Sequence, residues 1–219
     1  VVTEAILTRM LQDDPALEGI GALLFDEFHE RNLHSDLGLA LALDVQSALR
    51  PELRIVLMSA TLEGERLARF LDAPRVASEG RSHPVEIAYL AARAHEPELA
   101  HLRRALETAL ADSDGDVLVF LPGKGEIERA RAVAEAVVAA TVRGGTVGVH
   151  ALHGELALAE QAQLLAPHPP EERRIVLATN VAESSITLPQ VRAVIDSGLA
   201  REPRYDPVSG FSRLETVTI

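Results

Sequence analysis

The chain has 219 residues, of which 47% are hydrophobic, and this apolar content is enough for one large or two small domains. Its net charge is −12, with only 3% aromatic residues and no tryptophan, which argues against a nucleic-acid binder that relies on bulk positive charge or stacking platforms. It has no cysteine, which excludes disulfides and fits a reducing cytoplasm, and no apolar run approaches the ~20 residues that cross a bilayer.

Short apolar segments alternate with helical patterns along the chain, which predicts an α/β fold with mostly parallel sheets. Buried parallel strands are continuously apolar, and this character marks segments 21–25, 54–58, 116–120, 174–178 and 192–196. Helical patterns lie at about 35–49, 63–71, 97–111, 124–141 and 157–165. Glycine, serine and proline cluster at 80–84, so we expect one domain at 1–84 and a second at 85–219.

Two carboxylates follow the first predicted strand. Asp26 and Glu27 come directly after segment 21–25, at the strand end where open α/β sheets place ligands. In phosphoryl transfer, one carboxylate can hold Mg²⁺ and the next can position and deprotonate the attacking water. An isolated Asp-Glu pair at this place is more often a solvated strand end, so the assignment depends on the other motifs.

Small polar residues follow three further predicted strands. Ser59 and Thr61 come after segment 54–58 and could bond a nearby carboxylate or imidazole, or cap the next helix. Pro122-Gly123 is explained equally well by turn chemistry and by a phosphate held on the amides of the following helix. Segment 179–187 carries six hydroxyl and amide residues, more than a helix cap needs, and such groups are costly in a core unless they bond something.

These segments together resemble the motifs of DEAH-type helicases of superfamily 2. Residues 26–29, Asp-Glu-Phe-His, and residues 59–61, Ser-Ala-Thr, resemble motifs II and III in their order and spacing. Segment 178–187 closely resembles motif V, and 120–123 is similar to motif IV. Phe28 departs from the usual Ala, but Asp-Glu-Phe-His-Glu-Arg is similar to the HrpB-like bacterial branch.

The resemblance implies an ATP-dependent RNA helicase that uses ATP and Mg²⁺ and moves along a single strand of RNA, with DNA as an open alternative. It implies two RecA-like domains, each a mostly parallel sheet flanked by helices, and both incomplete here. By resemblance, Asp26 and Glu27 form the magnesium and base site, His29 links it to motif III, and Ser185 lies near the γ-phosphate or water. The remaining implied residues are Ser59, Thr61 and Thr187 at the nucleotide, and Thr3, Gly123, His153, Thr179 and Asn180 at the nucleic-acid backbone.

Several alternatives stay open at this point. Thr3 could be only a helix N-cap, and Pro189 stands where many relatives carry an Asp that holds the ribose, which would fit hydrolysis of several nucleoside triphosphates. The glycine-rich phosphate loop and the arginine-rich motif VI are absent from the sequence, so we expect a piece of a longer chain that alone hydrolyses ATP negligibly. A protein-directed P-loop ATPase and a non-catalytic RNA-binding scaffold remain as alternative functions.

Overall fold

A computed structural model describes residues 1–59, 64–78, 83–141, 146–169, 171–180 and 188–219. The chain divides into two compact units, Val1–Pro84 and Val85–Ile219, which are described separately below. None of the helices in the described ranges is long and apolar enough to cross a membrane. That the two units are two RecA-like domains of one motor stays a prediction.

The first unit is a two-stranded parallel sheet with helices. Its elements are α1 (Glu4–Asp13), β1 (Ala22–Phe25), a short 3-10 segment (Phe28–Glu30), α2 (Leu33–Ala48), β2 (Arg54–Leu57) and α3 (Gly64–Leu71). Strands β1 and β2 pair in parallel with Leu23 opposite Ile55. Helix α2 begins at Leu33 because the Asn32 side chain accepts a hydrogen bond from the amide of Ser35 at 2.8 Å, which satisfies a free amide of the first turn.

The core of the first unit lies on one face of its sheet. Leu23 and Phe25 are buried and pack with Leu39 and Val45 of α2, whereas Leu24 between them is 62% exposed. Strand β1 therefore differs from the doubly buried strand that its continuous apolar run predicts. The physical reason is that, among the described residues of this unit, the core cluster joins α1 and α2 to the Leu23 and Phe25 face only.

The second unit is built on a four-stranded parallel sheet in the order β4-β5-β3-β6, which confirms the α/β fold expected from the sequence. Its elements are α4 (Glu98–Asp112), β3 (Asp116–Phe120), α5 (Lys124–Thr141), β4 (Thr146–Leu152), α6 (Leu158–Leu165), β5 (Glu172–Ala178), β6 (Val191–Asp196), β7 (Leu199–Asp206) and β8 (Phe211–Thr218). Strands β7 and β8 form a separate antiparallel hairpin.

Strand β3 is buried on both faces, as a central parallel strand should be. Val117 and Val119 are fully buried in a cluster with residues of α4 and α5. Leu118, on the opposite face, packs in a second cluster with Leu164 of α6. This two-sided burial fixes the height of the strand in the sheet, and it therefore fixes the place of the polar residues that follow it.

Glu96 fastens the irregular segment before α4 to that helix. Arg104 donates hydrogen bonds from Nε and Nη2 to the two carboxylate oxygens of Glu96, each at 2.8 Å. The amide of Arg93 donates a third at 2.9 Å. The hydrogen bond from Arg104, followed by that of the Arg93 amide, lowers the pKa of Glu96 to about 2, because both stabilise the charged carboxylate.

Glu96→Gln is expected to lower the thermal unfolding midpoint at neutral pH, and the loss should fade in acid. Since the folded-state pKa is depressed, Glu96 contributes stability that is complete above its ordinary pKa of 4.5 and is lost as the pH falls through about 2. Thermal unfolding of both proteins across this range measures the difference. Glu107→Gln, an exposed position on α4, is the control, and a difference that does not change with pH would contradict the prediction.

Candidate functional site

The turn after β1 presents the two predicted catalytic carboxylates. Asp26 is exposed and Glu27 is half-buried. The amide of Glu27 donates a hydrogen bond to Oδ1 of Asp26 at 2.9 Å, which holds the first carboxylate against the turn. Glu27 itself adopts φ 48° and ψ 36°, a left-handed conformation that costs a residue other than glycine about 1–3 kcal/mol and that clusters at functional sites.

Backbone hydrogen bonds join this turn to the end of β2. The amide of Phe28 donates to the carbonyl of Met58 at 3.0 Å, and the amide of Met58 donates to the carbonyl of Phe25 at 2.8 Å. Ser59, which is exposed, therefore begins beside the Asp26-Glu27 turn. Thr61, the second predicted hydroxyl of this motif, lies outside the described residues.

Phe28 and His29 have different surroundings within the same turn. Phe28 is only 3% exposed and meets the ring of Phe25 edge to face, with centroids 6.2 Å apart, so its departure from the usual Ala adds a core anchor beneath the turn. Nδ1 of His29 lies 3.4 Å from Oε2 of Glu27. It is buried and makes no hydrogen bond within the described part of the chain, so the imidazole lies against the predicted base without being fixed by another group.

The donor set of this turn fits magnesium in the way that nucleotide enzymes bind it. Mg²⁺ keeps several waters and takes one or two carboxylates together with substrate phosphates, and Asp26 and Glu27 supply two carboxylates. Across the described ranges, no group of three or more histidine, aspartate or glutamate residues could hold a metal ion. The exposed Asp26 carboxylate at the end of β1 therefore suits a shared, phosphate-dependent ion rather than a protein cage.

Thr3 occupies the N-cap position of α1, but its side chain does not cap the helix. Its backbone is extended, with φ −78° and ψ 160°, and its carbonyl accepts hydrogen bonds from the amides of Ile6 and Leu7. The side chain makes no capping hydrogen bond and the residue is exposed. The N-cap alternative thus explains the place of Thr3 in the backbone and leaves its hydroxyl to other partners.

The parallel strands of the second unit end level with one another. Leu152 of β4 and Phe120 of β3 both pair with Ala178 of β5, and Phe120 also pairs with Asp196 of β6. The amide of Thr179 continues this pairing by donating to the carbonyl of Leu152 at 3.1 Å. The residues that follow the strand ends therefore share one edge of the sheet, which brings together the predicted residues Gly123, His153, Thr179 and Asn180.

These four residues differ in what they can offer a ligand. Asn180 is exposed and Thr179 is half-buried, so both can reach a molecule lying along the edge. His153 is 9% exposed, and its Nδ1 is buried without a hydrogen-bond partner among the described residues. Gly123 matters through its size, because a Cβ there would lie 3.0 Å from the Arg201 guanidinium.

Ion pairs at this edge escaped the sequence reasoning. Nζ of Lys124 lies 2.6 Å from Oε2 of Glu155, and Nη2 of Arg201 lies 3.5 Å from Oε2 of Glu126. The hydrogen bond between the first pair raises the pKa of Lys124 and lowers the pKa of Glu155. The only signal in the sequence was a lysine between two glycines directly after a predicted strand, which does not reveal its distant partner.

The other predicted nucleotide residues do not lie at this edge of the described structure. Ser185 and Thr187 lie outside the described residues. Pro189 lies ahead of β6, at the opposite, amino-terminal edge of the sheet, where it helps to line a cavity of about 570 Å³ with Asp116 and His168. The structure therefore describes the ends of the motif V segment, Thr179-Asn180 and Pro189, at opposite edges of one sheet.

Comparison with known proteins identifies the relatives of the chain. Residues 98–209, just over half of the chain, match the family of the helicase conserved C-terminal domain. The chain is 45% identical over 217 residues to the ATP-dependent RNA helicase HrpB of Escherichia coli (strain K12), an alignment that covers 99% of this chain and 26% of that protein. It is 34% identical over 230 residues to the chloroplastic ATP-dependent RNA helicase DEAH11 of Arabidopsis thaliana, covering all of this chain and 12% of that protein.

Solved structures show the same relationship. The crystal structure of the Escherichia coli DEAH/RHA helicase HrpB matches with a TM-score of 0.89 and 44% identity, over 100% of this chain and 28% of that one. The crystal structure of the E. coli DExH-box NTPase HrpB matches with a TM-score of 0.84 and 44% identity, over 100% and 27%. The chain thus spans about a quarter of HrpB. It belongs to the family of the helicase conserved C-terminal domain, in the DEAH-type group that HrpB represents.

Proposed function

We propose that the protein containing this chain is an ATP-dependent RNA helicase, in which nucleic-acid-stimulated hydrolysis of ATP drives translocation or unwinding. The observation that carries the proposal is the Asp26-Glu27 turn, which is bonded through Phe28 to the end of β2. It places two carboxylates and the first residue of the Ser-Ala-Thr segment at one strand edge. The full-length similarity of this chain to proteins named ATP-dependent RNA helicases supports it.

In the proposed chemistry, Glu27 accepts a proton from the water that attacks the γ-phosphate. Its left-handed backbone directs the carboxylate away from Asp26, and the adjacent His29 imidazole limits the positions that the carboxylate can take. Asp26 would hold Mg²⁺ through water, and the bound ion would neutralise charge on the phosphate oxygens. Ser185 and Thr187, which lie outside the described residues, are proposed to meet the γ-phosphate and the nucleotide sugar.

The proposed nucleic-acid contacts lie on both units. Thr3 contributes an uncommitted hydroxyl at the start of α1, and Thr179 and Asn180 contribute a hydroxyl and an amide at the edge of the second sheet. Gly123 and His153 border the same edge. Such groups suit phosphate and sugar, which carry no sequence information, so we expect little sequence preference. With a net charge of −12, we also expect weak binding that falls steeply with salt.

Release of phosphate from ATP by the full-length protein tests the proposal. The rate is measured with Mg²⁺, in the presence and absence of single-stranded RNA, and then with single-stranded DNA of the same sequence. Strong stimulation by RNA is the expected result. Hydrolysis that is indifferent to either nucleic acid would favour a protein-directed ATPase, and RNA binding without any hydrolysis would favour a scaffold.

A further inference from the structure

Two carboxylates hold the cations that lie nearest to the proposed RNA edge of the second unit. Lys124 follows Gly123 directly, and its ammonium is hydrogen-bonded to Glu155. The Arg201 guanidinium packs against Gly123 from the other side, since an added Cβ would lie 3.0 Å from its Nη1, and it pairs with Glu126. A small turn is thus bordered by two positive groups, each already facing a negative one.

We propose that Lys124 and Arg201 are phosphate-binding residues for RNA, and that Glu155 and Glu126 occupy them until a phosphate displaces the carboxylate. The inference rests on the proposed function and names further contacts of the same site. Ammonium and guanidinium groups bind carboxylate and phosphate with the same donors. Each carboxylate is therefore a direct competitor of the RNA backbone for its cation.

The Lys124–Glu155 pair is built to exchange. The two side chains are 53% and 73% exposed, so water and salt screen their attraction and leave little stability to lose when the pair separates. Glu155 also follows His153 by two residues, beyond the end of β4, and so belongs to the edge that carries Thr179. A phosphate near Thr179 would therefore meet a lysine whose present partner can move into solvent.

The Arg201–Glu126 pair is looser at the arginine end. Glu126 is 17% exposed at its side chain, and its Oε1 accepts a hydrogen bond from Nη2 of Arg129 at 3.0 Å. Its Oε2 is buried and makes no hydrogen bond within the described residues, because the Arg201 nitrogen stays 3.5 Å away. Arg201 is 43% exposed. It can leave while Arg129 continues to neutralise Glu126.

This arrangement accounts for RNA binding by an acidic chain. The proposed edge does not present free positive charge, so non-specific attraction of RNA is weak, in keeping with the net charge of −12. A phosphate gains a cation only by releasing a carboxylate, which takes up a salt cation in its place. RNA binding through Lys124 should therefore show less net ion release than binding to an unpaired lysine.

The first test is RNA binding by Glu155→Gln in the full-length protein without nucleotide. Fluorescence anisotropy of a dye-labelled oligo-uridine is followed over a salt series. We expect about two- to fivefold tighter binding at low salt, an effect of the size that exposed ion pairs allow. We also expect the slope of log affinity against log salt to steepen by about 0.7, the value for one additional phosphate neutralised on a single strand.

A matched control separates the pair from a general charge effect. Glu135→Gln makes the same change in net charge at an exposed position of α5, roughly 16 Å along the helix axis from Lys124 and beyond the Debye length of about 10 Å in moderate salt. It should leave affinity and slope unchanged. Equal thermal unfolding midpoints of the two variants verify that both fold alike.

A double-mutant cycle makes the assignment specific. Lys124→Gln is expected to weaken RNA binding, and Glu155→Gln should have no effect once Lys124 is replaced. Glu126→Gln and Arg201→Gln form the corresponding cycle for the second pair.

Two results would overturn the inference while leaving the proposed function intact. One is an equal gain from Glu155→Gln and Glu135→Gln, and the other is a gain from Glu155→Gln that persists in the Lys124→Gln background. If neither the wild-type protein nor any variant binds RNA, the proposed function fails and the inference fails with it.

Discussion

Glu27→Gln is expected to reduce RNA-stimulated ATP hydrolysis about 10²- to 10⁴-fold, the contribution typical of a general base. Glutamine preserves the size and polarity of the side chain, so the left-handed turn and the hydrogen bond from the residue 27 amide to Asp26 should persist. It cannot accept the proton of the attacking water. The measurement is phosphate release by the full-length protein at saturating ATP, Mg²⁺ and single-stranded RNA.

RNA binding should survive in the same variant, because Thr3, Thr179 and Asn180 are unchanged. Anisotropy with labelled RNA therefore serves as the check that the protein still folds and binds. Glu18→Gln, an exposed position ahead of β1, is the matched control and should hydrolyse ATP at the wild-type rate. Wild-type hydrolysis by Glu27→Gln would remove Glu27 from the role of base.

Asp116→Ala is expected to lower the free energy of unfolding of the second unit by about 3–5 kcal/mol, as when one partner of a buried pair is removed. Nε2 of His168 lies 2.9 Å from Oδ2 of Asp116, and the Arg174 amide donates to Oδ1 at 2.8 Å. The side chains of His168 and Asp116 are 5% and 6% exposed. Alanine would leave both of these partners without an acceptor, away from water.

Urea denaturation measures this effect, with Asp114→Ala as the control. Asp114 is exposed and lies in the same turn before β3, so its loss should change stability by less than about 0.5 kcal/mol. Asp116→Asn should fall between the two, since one carbonyl oxygen can still accept from the Arg174 amide. Equal midpoints for Asp116→Ala and Asp114→Ala would show that the buried pair contributes nothing.

The same cluster lies at one end of the motif V segment. The Gln190 side chain donates to the carbonyl of His168 at 3.1 Å, and the Gln190 carbonyl accepts from the amide of Asp116 at 2.9 Å. Gln190 follows Leu188 and Pro189, where the described chain resumes after Asn180. Asp116 therefore stabilises the return of this segment into β6, at the edge opposite Thr179.

Local patterns were sufficient for the elements that lie deep in a sheet. Strand β3 is apolar throughout because both of its faces are covered, so its run of residues is visible without any knowledge of its neighbours. Helix α5 occupies Lys124–Thr141, the limits that its alanine-rich pattern predicts. The α/β fold and the family resemblance both followed from such segments and from the polar residues directly after them.

Exposed strands were missed for the opposite reason. Strand β4 lies at the edge of its sheet, and Gly148 and His150 interrupt its apolar residues. The hairpin of β7 and β8 is largely exposed and carries Pro203 and several charges. Its pairing runs from Leu199 opposite Thr218 to Asp206 opposite Phe211, and cross-strand hydrogen bonds of this kind leave no hydrophobic period to read.

The sequence by itself determined the fold class, the family and the chemical groups that each strand end presents, because burial and side-chain chemistry are local properties. Only the tertiary structure decided which of those groups meet. The bond from Phe28 to Met58, the level ends of Phe120 and Ala178, and the pairing of Lys124 with Glu155 all depend on strand register and on the heights at which parallel strands stop. That register is set by packing between segments far apart in the chain, which no local pattern encodes.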